Sequence, residues 1–250
     1  MRLDLDGSVA TVTLCRPEVL NAQTPELWGQ LRDFGRELPG DVRVVVLRGQ
    51  GRAFSAGVDL KAAGSPGEGD GGVLADLASG SPERSEATIA GFQEAFSWLR
   101  RPSLISIAAV QGHAIGAGFQ LALACDFRVV TDDAQFTMAE VSLGLVPDLG
   151  GTKRLVELVG YARALELCVT GRRVGADEAA RIGLANLVVP AAELDGAVGD
   201  LTAAVLAGNR DAVVEIKALL LAVVGSYADQ EARERAAQLR RLRDVLGVGE

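Results

Sequence analysis

The sequence predicts an α/β fold with a strand-rich first part and a helical last part. Two buried strand-like runs, residues 42–47 and 104–110, are each followed by a glycine-bearing turn. Strand, turn and helix alternate in this way up to about Thr137, and we find no repeat of fixed period. From Gly151 onward the pattern changes to helical segments rich in Ala and Leu, so we expect two regions of different character.

The first elements follow from their turn and cap residues. Residues 2–14 form two strand-like runs on either side of Asp6–Gly7, which predicts a hairpin. Thr24 followed by Pro25 is a favourable helix start, because Thr caps free N–H groups and Pro has a suitable φ. This helix is expected to stop at Pro39–Gly40.

The middle of the chain contains a polar segment, and several helices follow. Residues 64–85 are rich in Gly, Ser, Pro and acidic residues, which predicts a mobile loop before a helix at about 86–99. Beyond Gly151 we predict a short strand at 186–189 and helices at 152–159, 162–169, 176–182, 194–206, 210–224 and 229–246. The last helix carries many charges, which is typical of a solvated face; packing against another subunit is the alternative.

Composition places the chain among ordinary globular proteins. Of its 250 residues, 48% are hydrophobic and 23% are charged, which is enough apolar material for a substantial core. No apolar run approaches the roughly 20 residues of a membrane span. The amino terminus lacks the basic start and apolar centre of a signal peptide. We therefore expect a cytoplasmic protein with no membrane contact.

Charge and the rare residue types argue against several classes of site. The 33 acidic residues outnumber the 25 Lys and Arg, and a net charge of −8 argues against a nucleic-acid surface. Cys15, Cys125 and Cys168 lie far apart in apolar contexts without CxxC spacing, so we expect reduced, buried thiols. His113 is the single histidine, so no histidine-based metal cluster is expected and we predict no metal site.

A glycine-rich turn between a strand and a helix is the first candidate site. Gly112, Gly116 and Gly118 lie between the run at 104–110 and an apolar helix predicted at 119–124. Such a turn leaves free N–H groups at the positive end of a helix. These groups can hold an anion, or the oxygen of a carbonyl that becomes anionic during a reaction.

Two carboxylates follow in apolar surroundings. Glu140 lies in the segment 138–141 and Asp148 in the segment 146–149, and the other residues of both segments are apolar or proline. Free amides together with apolar-framed carboxylates are suited to proton chemistry next to a carbonyl group.

Several motifs in a fixed order resemble the crotonase (enoyl-CoA hydratase/isomerase) superfamily. They are NA at 21–22, FSAGVDLK at 54–61, QGHAIGAG at 111–118, GLVP at 144–147, GGTKRL at 150–155 and AARIGLA at 179–185. The resemblance covers nearly the whole chain and is far more specific for the fold than for the reaction.

The resemblance implies a spiral of β-β-α units over residues 1–190 and a helical C-terminal region, 191–250, that builds trimers or dimers of trimers. Family members bind acyl-CoA thioesters, in which coenzyme A is part of the substrate, and need no other cofactor. They stabilise an enolate through two backbone N–H groups, which by motif belong here to Val58 and Ala117. Amides suit this role because they are already oriented when charge develops on the thioester oxygen.

The resemblance also implies substrate contacts at a set of loop and turn positions. These positions are Ala22, Ala56, Val58, Asp59, Leu60, Lys61, Ala117 and Gln120. Lys61 could meet a CoA phosphate as a point charge, although a single lysine is often only solvated. Asp59 has the alternative interpretation of a structural loop acid.

Three positions decide which reaction is implied. Hydratases of the family carry one glutamate on the helix after the glycine turn and a second before the Gly–Leu–x–Pro segment. Here the first position is Gln120, which can orient water but cannot take its proton, and only Glu140 is acidic. Asp148 stands where hydratases typically have glycine and where dienoyl-CoA and phenylacetate-pathway isomerases have an acid. Its alternative use is to cap the helix predicted at 152–159.

The resulting hypothesis is an enoyl-CoA or dienoyl-CoA double-bond isomerase with Glu140 and Asp148 as its catalytic carboxylates. Glu140 would remove the proton α to the thioester, and the amides of Val58 and Ala117 would hold the enolate. Glu140 or Asp148 would then return a proton further along the acyl chain.

Several alternatives stay open at this stage. One is an enoyl-CoA hydratase that works with Glu140 alone, and another is a non-catalytic acyl-CoA-binding paralogue. A third is a serine hydrolase that uses Ser55 or Ser106 with His113. The 4-chlorobenzoyl-CoA dehalogenases also have an aspartate at position 148, but His113 and Trp98 do not match the histidine and tryptophan that those enzymes need.

Overall fold

The computed structural model describes residues 1–63 and 72–223, and it confirms the predicted α/β class. The strands are β1 Arg2–Asp6, β2 Val9–Leu14, β3 Val44–Gly49, β4 Ile105–Val110, β5 His113–Ile115, β6 Phe127–Thr131, β7 Gln135–Thr137, β8 Val174–Gly175 and β9 Leu187–Val189. The helices are α1 Pro25–Glu37, α2 Leu60–Ala63, α3 Val73–Ser79, α4 Pro82–Ser97, α5 Ala117–Ala124, α6 Gly151–Val159, α7 Tyr161–Thr170, α8 Ala176–Arg181, α9 Leu194–Ala207 and α10 Arg210–Leu221. Short 3-10 helices cover Pro17–Val19, Trp98–Arg100, Glu140–Leu143 and Ala191–Glu193.

Within the described residues the strands form two sheets. The larger sheet has the order β1-β2-β3-β4-β6-β9, with β1 antiparallel to β2 and the remaining neighbours parallel. The smaller sheet has the order β5-β7-β8, in which β5 and β7 are parallel and β8 is antiparallel to β7. Because parallel strands end at the same edge of a sheet, the loops that follow β2, β3 and β4 meet there.

Strand β4 shows how the larger sheet is covered on both faces. All six of its residues are buried. Ala108 and Val110 join the main core, to which α1, α4 and α5 contribute. Ile105 and Ile107 belong to a second core that includes Val198 of α9. Burial on alternating faces explains why this strand is continuously apolar in the sequence.

The elements predicted from turns and caps are confirmed. Residues 2–14 form an antiparallel hairpin around Gly7, whose φ is +53°. Helix α1 begins at Pro25, and the Thr24 hydroxyl accepts a hydrogen bond from Leu27 N at 3.3 Å. The helices predicted at 152–159, 162–169 and 176–182 are α6, α7 and α8, whose bounds differ from the predicted ones by one or two residues at most. The helices predicted at 194–206 and 210–224 are α9 and α10.

Some sequence predictions are wrong. The loop predicted at 64–85 contains α3 and the first turn of α4, where Ser81 and Pro82 repeat the cap-and-proline start of α1. His113 lies in β5 and not in a turn. Of the three free cysteines only Cys125 is buried, and Cys15 and Cys168 are half-buried. The predicted helix at 229–246 and residues 64–71 lie outside the described residues.

Helix α9 packs on the second face of the larger sheet and contacts β3, β4 and β6. The division of the chain between residues 190 and 191 stays a prediction. None of the helices described in the structure is both long and apolar enough to cross a bilayer.

Two buried cationic side chains, Arg128 and Lys217, form hydrogen bonds between neighbouring elements of the core. Arg128, with no exposed surface, donates to the carbonyl oxygens of Leu184 at 2.6 Å and Cys125 at 2.8 Å, the latter at the end of α5. Desolvation lowers the pKa of Arg128 to about 10, so it stays protonated at neutral pH. Lys217 of α10 donates to Asp126 Oδ2 at 2.6 Å and fastens α10 to the sheet.

Arg128→Met should lower the free energy of unfolding by about 3 kcal/mol, because several buried carbonyl oxygens lose their donor while the side-chain volume is largely kept. Urea denaturation at a fixed protein concentration measures this change. The matched control is Arg84→Met, at an exposed position of α4, which should shift the free energy by no more than about 0.5 kcal/mol. Equal unfolding midpoints for the two variants would show that the Arg128 hydrogen bonds do not stabilise the fold.

Candidate active site

Two turns bring two backbone amides together at one edge of the larger sheet. The first turn ends at Gly57 and Val58, and the second ends at Gly116 and Ala117, where α5 begins. Gly57 has φ +87° and Gly116 has φ +50°, in the left-handed region that favours glycine. A Cβ on Gly57 would lie 2.5 Å from the Ile115 carbonyl oxygen and 3.5 Å from Ala117 N. The two turns are therefore in direct backbone contact.

The amides of Val58 and Ala117 have no protein acceptor within the part of the chain that the structure describes. Ala117 is the first residue of α5, and the first N–H groups of a helix have no partner inside it. The neighbouring Gly116 N–H donates to Thr137 O at 2.8 Å, and Asp59 N–H donates to Gln23 O at 2.8 Å. The turns are thus fixed by adjacent residues, and two donors remain free beside a helix start that favours negative charge.

Buried polar side chains support the first turn. Asn21, with φ +56°, donates from Nδ2 to the Ala53 carbonyl oxygen at 2.8 Å. The Ser55 hydroxyl donates to Asn21 O at 2.9 Å and accepts from Gln23 Nε2 at 3.0 Å and Gly57 N at 3.2 Å. Since these groups are buried and mutually satisfied, they hold the Gly57 turn in one conformation.

Glu140 lies beside the second turn. Strand β7 ends at Thr137, and Glu140 follows as the first residue of the 3-10 helix Glu140–Leu143. A Cβ on Gly116 would lie 3.3 Å from Glu140 Oε1 and 3.8 Å from Oε2. Oε2 is buried and has no hydrogen-bond partner among the described residues. The carboxylate therefore lies next to the residue that precedes the free Ala117 amide.

Burial raises the pKa of Glu140 above its ordinary value. Desolvation is the largest cause and the charge of Asp148 adds to it, while hydrogen bonds from the Glu140 backbone and Gln120 act in the opposite direction. The Cys168 thiol of α7 has a raised pKa for the same two kinds of reason, burial first and the Glu140 charge second. A desolvated carboxylate with a raised pKa is suited both to take and to return a proton.

Gln120 is 1% exposed and forms hydrogen bonds in two directions. Its Nε2 donates to Glu140 Oε1 at 2.8 Å. Its Oε1 accepts from Leu149 N at 2.9 Å and from Gly151 N, the first residue of α6, at 3.3 Å. The side chain predicted to contact substrate therefore bridges Glu140 and the start of α6.

Asp148 is exposed and lies close enough to Glu140 for their charges to interact. Its backbone carbonyl accepts a hydrogen bond from Gln93 Nε2 of α4 at 2.7 Å. Although its surface is exposed, surrounding protein desolvates the carboxyl group and raises its pKa. The helix-cap alternative is not found, because Gly150 occupies the N-cap of α6 and makes no side-chain cap.

Asp59 is held inside its own loop. Its Oδ2 pairs with Arg16 Nη2 at 2.8 Å and its Oδ1 accepts from Ala62 N at 3.3 Å. The Arg16 hydrogen bond is the main reason why the pKa of Asp59 is lowered. Arg16 also donates from Nη1 to Ala22 O at 2.9 Å. The sequence pattern did not point to Arg16, because its two partners lie 6 and 43 residues away.

The remaining predicted contact positions lie on the same loops. Ala56 N donates to Leu20 O at 2.8 Å, which joins the loop after β2 to the loop after β3. Leu60 is half-buried at the start of α2, and Lys61 is exposed beside it. A ligand that reaches the free amides along this edge would pass these residues.

The serine-hydrolase alternative has no support in the described residues. Ser55 and Ser106 are both fully buried. The Ser106 hydroxyl donates to Leu99 O at 2.8 Å and lies 3.1 Å from Asp126 Oδ2. Ser55 N–H donates to the His113 backbone carbonyl at 2.9 Å, but neither serine hydroxyl is hydrogen-bonded to the His113 ring in the part of the chain described. A hydroxyl–imidazole bond is what a serine nucleophile requires.

Taken together, these groups can perform one kind of chemistry. Two preoriented N–H donors can stabilise an oxyanion, and a desolvated carboxylate next to them can remove a proton from the adjacent carbon. The arrangement fits proton transfer α to a carbonyl group.

Comparison with known proteins agrees with this chemistry, because the matches belong to one family of acyl-CoA enzymes. A sequence profile described as enoyl-CoA hydratase/isomerase matches residues 4–245. The chain is 42% identical over 197 residues to the carnitinyl-CoA dehydratase of Escherichia coli K12, covering 78% of this chain and 69% of that protein. It is 34% identical over 194 residues to a Mycobacterium tuberculosis protein with the provisional name enoyl-CoA hydratase, covering 77% and 69%.

Solved structures extend the likeness to the fold. A Thermobifida fusca YX protein, provisionally named enoyl-CoA hydratase and crystallised with acetoacetyl-CoA, superposes with a TM-score of 0.90 at 50% identity. The comparison covers 97% of this chain and 94% of that one. A structure of the same description with CoA gives a TM-score of 0.89 at 49% identity, over 98% and 94% of the two chains.

Glu140→Gln should make the fold more stable at neutral pH. The folded-state pKa of Glu140 is raised above its unfolded value, so its favourable contribution is complete at low pH and is lost as the pH rises through the folded pKa. Wild type should therefore match the variant in acid and fall below it above pH 4–5, the ordinary range for Glu. Chemical denaturation at several pH values measures the difference.

Asp59→Asn is the control with the opposite sign. The pKa of Asp59 is lowered by Arg16, so wild type should gain stability over this variant as the pH rises through the folded pKa. The quantity compared is the stability of wild type minus that of the variant, as a function of pH. If this difference changes with pH in the same direction for Glu140→Gln and Asp59→Asn, the assignment of Glu140 as a desolvated carboxylate is wrong.

Proposed function

Because the chain belongs to the enoyl-CoA hydratase/isomerase family, we propose that it acts on acyl-CoA thioesters and moves a carbon–carbon double bond through an enolate. The thioester oxygen binds to Val58 N–H and Ala117 N–H. Glu140 Oε2 takes the proton from C2, and the electrons of the C2–H bond pass into the enolate. The conjugated system is then protonated at C4 or beyond, which leaves the double bond in its new position.

The acyl-CoA substrate class is supported by the free amides and by the loops beside them. Two N–H donors at the edge of the sheet fit one thioester oxygen, which gains charge during proton removal. Ala22, Ala56 and Lys61 lie along the same edge, where Lys61 supplies a cation for a CoA phosphate. The related Thermobifida fusca protein was crystallised with acetoacetyl-CoA and with CoA.

One observation carries the choice of isomerisation. Position 120, where hydratases of the family carry a second glutamate, holds a glutamine that is hydrogen-bonded through both Nε2 and Oε1, so it cannot take a proton from water. A single carboxylate with a raised pKa can take a proton at C2 and return it at C4. Asp148, whose carboxyl group also has a raised pKa, can serve a more distant carbon of the acyl chain.

Hydration or dehydration is the second candidate. The names of the Escherichia coli and Mycobacterium tuberculosis relatives favour it, since one is a carnitinyl-CoA dehydratase and the other has the name enoyl-CoA hydratase. In this chain Glu140 would have to activate water by itself. The same enolate and the same two amides would serve that reaction.

The assembly, compartment and cofactor need are further parts of the proposal. We propose a homotrimer or a dimer of trimers in the cytoplasm, with coenzyme A as part of the substrate and no separate cofactor. Helix α10 exposes Ile216 at 56% and Leu220 at 69%, an apolar surface that another subunit would cover.

Glu140→Gln should reduce double-bond migration in 3-enoyl-CoA by roughly 10²–10⁴-fold, because the amide keeps the shape but cannot accept the proton. Binding of acetoacetyl-CoA, followed by calorimetry, should be nearly unchanged. Mass spectrometry after incubation in deuterated water should find deuterium at C2 and C4 with wild type only. If wild type instead adds water rapidly to crotonyl-CoA and Glu140→Gln abolishes that addition, the hydratase candidate replaces the isomerase. Binding without any exchange identifies a non-catalytic acyl-CoA-binding protein.

Asp148→Asn should damage turnover of 3,5-dienoyl-CoA more than turnover of 3-enoyl-CoA. One carboxylate can serve both C2 and C4, whereas a proton that is returned further along the chain needs a second group. The ratio of kcat/KM values for the two substrates, wild type against variant, measures the effect. Equal losses on both substrates would assign Asp148 to a structural or general electrostatic role.

A further inference from the structure

The amide of Gln120 is fixed in one orientation. Its oxygen accepts from two backbone N–H groups, those of Leu149 at 2.9 Å and Gly151 at 3.3 Å. A flipped amide would point NH₂ at these two donors and oxygen at the Glu140 carboxylate, which would lose every one of these hydrogen bonds. Glycine at 151 leaves room for this side chain, because a Cβ there would lie 2.7 Å from Gln120 Cγ.

Because of this orientation, the two oxygens of Glu140 have different surroundings. Oε1 accepts from Gln120 Nε2 at 2.8 Å, whereas Oε2 is buried and unpaired among the described residues. A half-turn of the carboxylate would exchange the two oxygens but would leave the same position bonded to Gln120 and the other position open. Oε2 is thereby presented as the oxygen with open proton-accepting capacity.

We propose that Gln120 is a positioning residue that holds Glu140 through Oε1 and makes Oε2 the only oxygen that takes and returns the substrate proton. This inference rests on the proposed function only in assigning Glu140 as the base. In the reaction the C2–H bond breaks and an Oε2–H bond forms, and the reverse transfer forms the new C–H bond. Because one oxygen does both, the proton is removed and delivered on one face of the enolate.

The residue type matters as much as the hydrogen bonds. A glutamate at position 120 would keep the acceptor for Leu149 and Gly151 but would place a second negative charge against Glu140 Oε1. Like charges at this distance cannot both be ionised easily, so one carboxyl group of the pair would keep its proton to a higher pH than an isolated glutamate does. Glutamine instead stabilises the ionised form of Glu140 and leaves it able to act as a base.

Two other titratable groups of the described residues interact with Glu140. Asp148, from the segment before α6, raises the pKa of Glu140, and Cys168 of α7 lies near enough for its own pKa to be raised by the Glu140 charge. Neither is hydrogen-bonded to the Glu140 carboxylate in the part of the chain described. Gln120 is therefore the one described side chain that fixes the carboxylate by a directional contact.

The test compares Gln120→Met, which keeps the shape without the donor, with Gln120→Glu, which adds a charge. Thr202→Ala is the control, because it removes a buried hydrogen bond to Val198 O at 2.7 Å in α9, away from the site. The first readout is the substrate-free titration of Glu140 by infrared pH-difference spectroscopy, with Glu140→Gln identifying the band. The second is the pH profile of C2 proton exchange from butanoyl-CoA in deuterated water, which requires no double bond.

Gln120→Met should move the Glu140 titration and the acid limb of the exchange profile to higher pH, and Gln120→Glu should move both further. The exchange rate at neutral pH should fall roughly tenfold or more in each variant, because a hydrogen bond to the charged base is lost. The KM for butanoyl-CoA should change much less than kcat. Thr202→Ala should leave both profiles in place.

An unchanged Glu140 titration in Gln120→Met, with a fold intact by circular dichroism, overturns the positioning role. Should Gln120→Met not fold, Gln120→Asn decides, since its shorter amide adds no charge and cannot reach Glu140 Oε1 while it accepts from Leu149 and Gly151. If wild type exchanges no C2 proton, the proposed function fails. The substrate-free titration still tests whether Gln120 positions the Glu140 carboxylate, because it requires no substrate. The two failures are therefore distinguishable.

Discussion

The site depends on one backbone contact, the approach of the Gly57 turn to the Ile115 carbonyl. A side chain at Gly57 would collide with that carbonyl at 2.5 Å, so only glycine allows the two turns to touch. The contact sets the spacing between Val58 N–H and Ala117 N–H. Parallel pairing of β3 with β4 brings the two segments to one edge, and the buried Asn21–Ser55 contact locks the first turn. The proposed binding of a thioester oxygen depends on that fixed pair of amides.

The second constraint is a conflict between stability and chemistry at Glu140. A buried, ionised carboxylate with an unpaired oxygen destabilises the fold. The raised pKa of Glu140 has the same cause, the desolvation of the charged form. The surrounding structure keeps the group in place through Gln120, which is itself anchored to the Leu149 and Gly151 amides. A desolvated acid held by a hydrogen-bonded neighbour is a common arrangement where a side chain must move protons.

The sequence was informative where local rules decide the structure. Thr24–Pro25 predicted α1 through its cap, and the ordered glycine motifs predicted the α/β class and the turns that carry Val58 and Ala117. Strands β5 and β7 were missed, because each has three residues within a glycine-rich segment and such lengths show no periodicity. The equally short β9 was predicted from the apolar run before Pro190. The role of Gln120 could not be predicted, since its partners lie 20, 29 and 31 residues away and depend on tertiary packing. For Asp148 the sequence left a choice between a helix cap and a site acid, and the absence of a side-chain cap on α6 removes the first.

The central claim is that Val58 N–H and Ala117 N–H polarise one thioester oxygen. Isotope-edited infrared spectroscopy of an acyl-CoA labelled with ¹³C at the thioester carbon observes that bond directly in the complex. Two preoriented donors should lower the carbonyl stretching frequency below its value for the free ligand in water. A bound ligand whose carbonyl band stays at the aqueous frequency, or moves above it, would contradict the account.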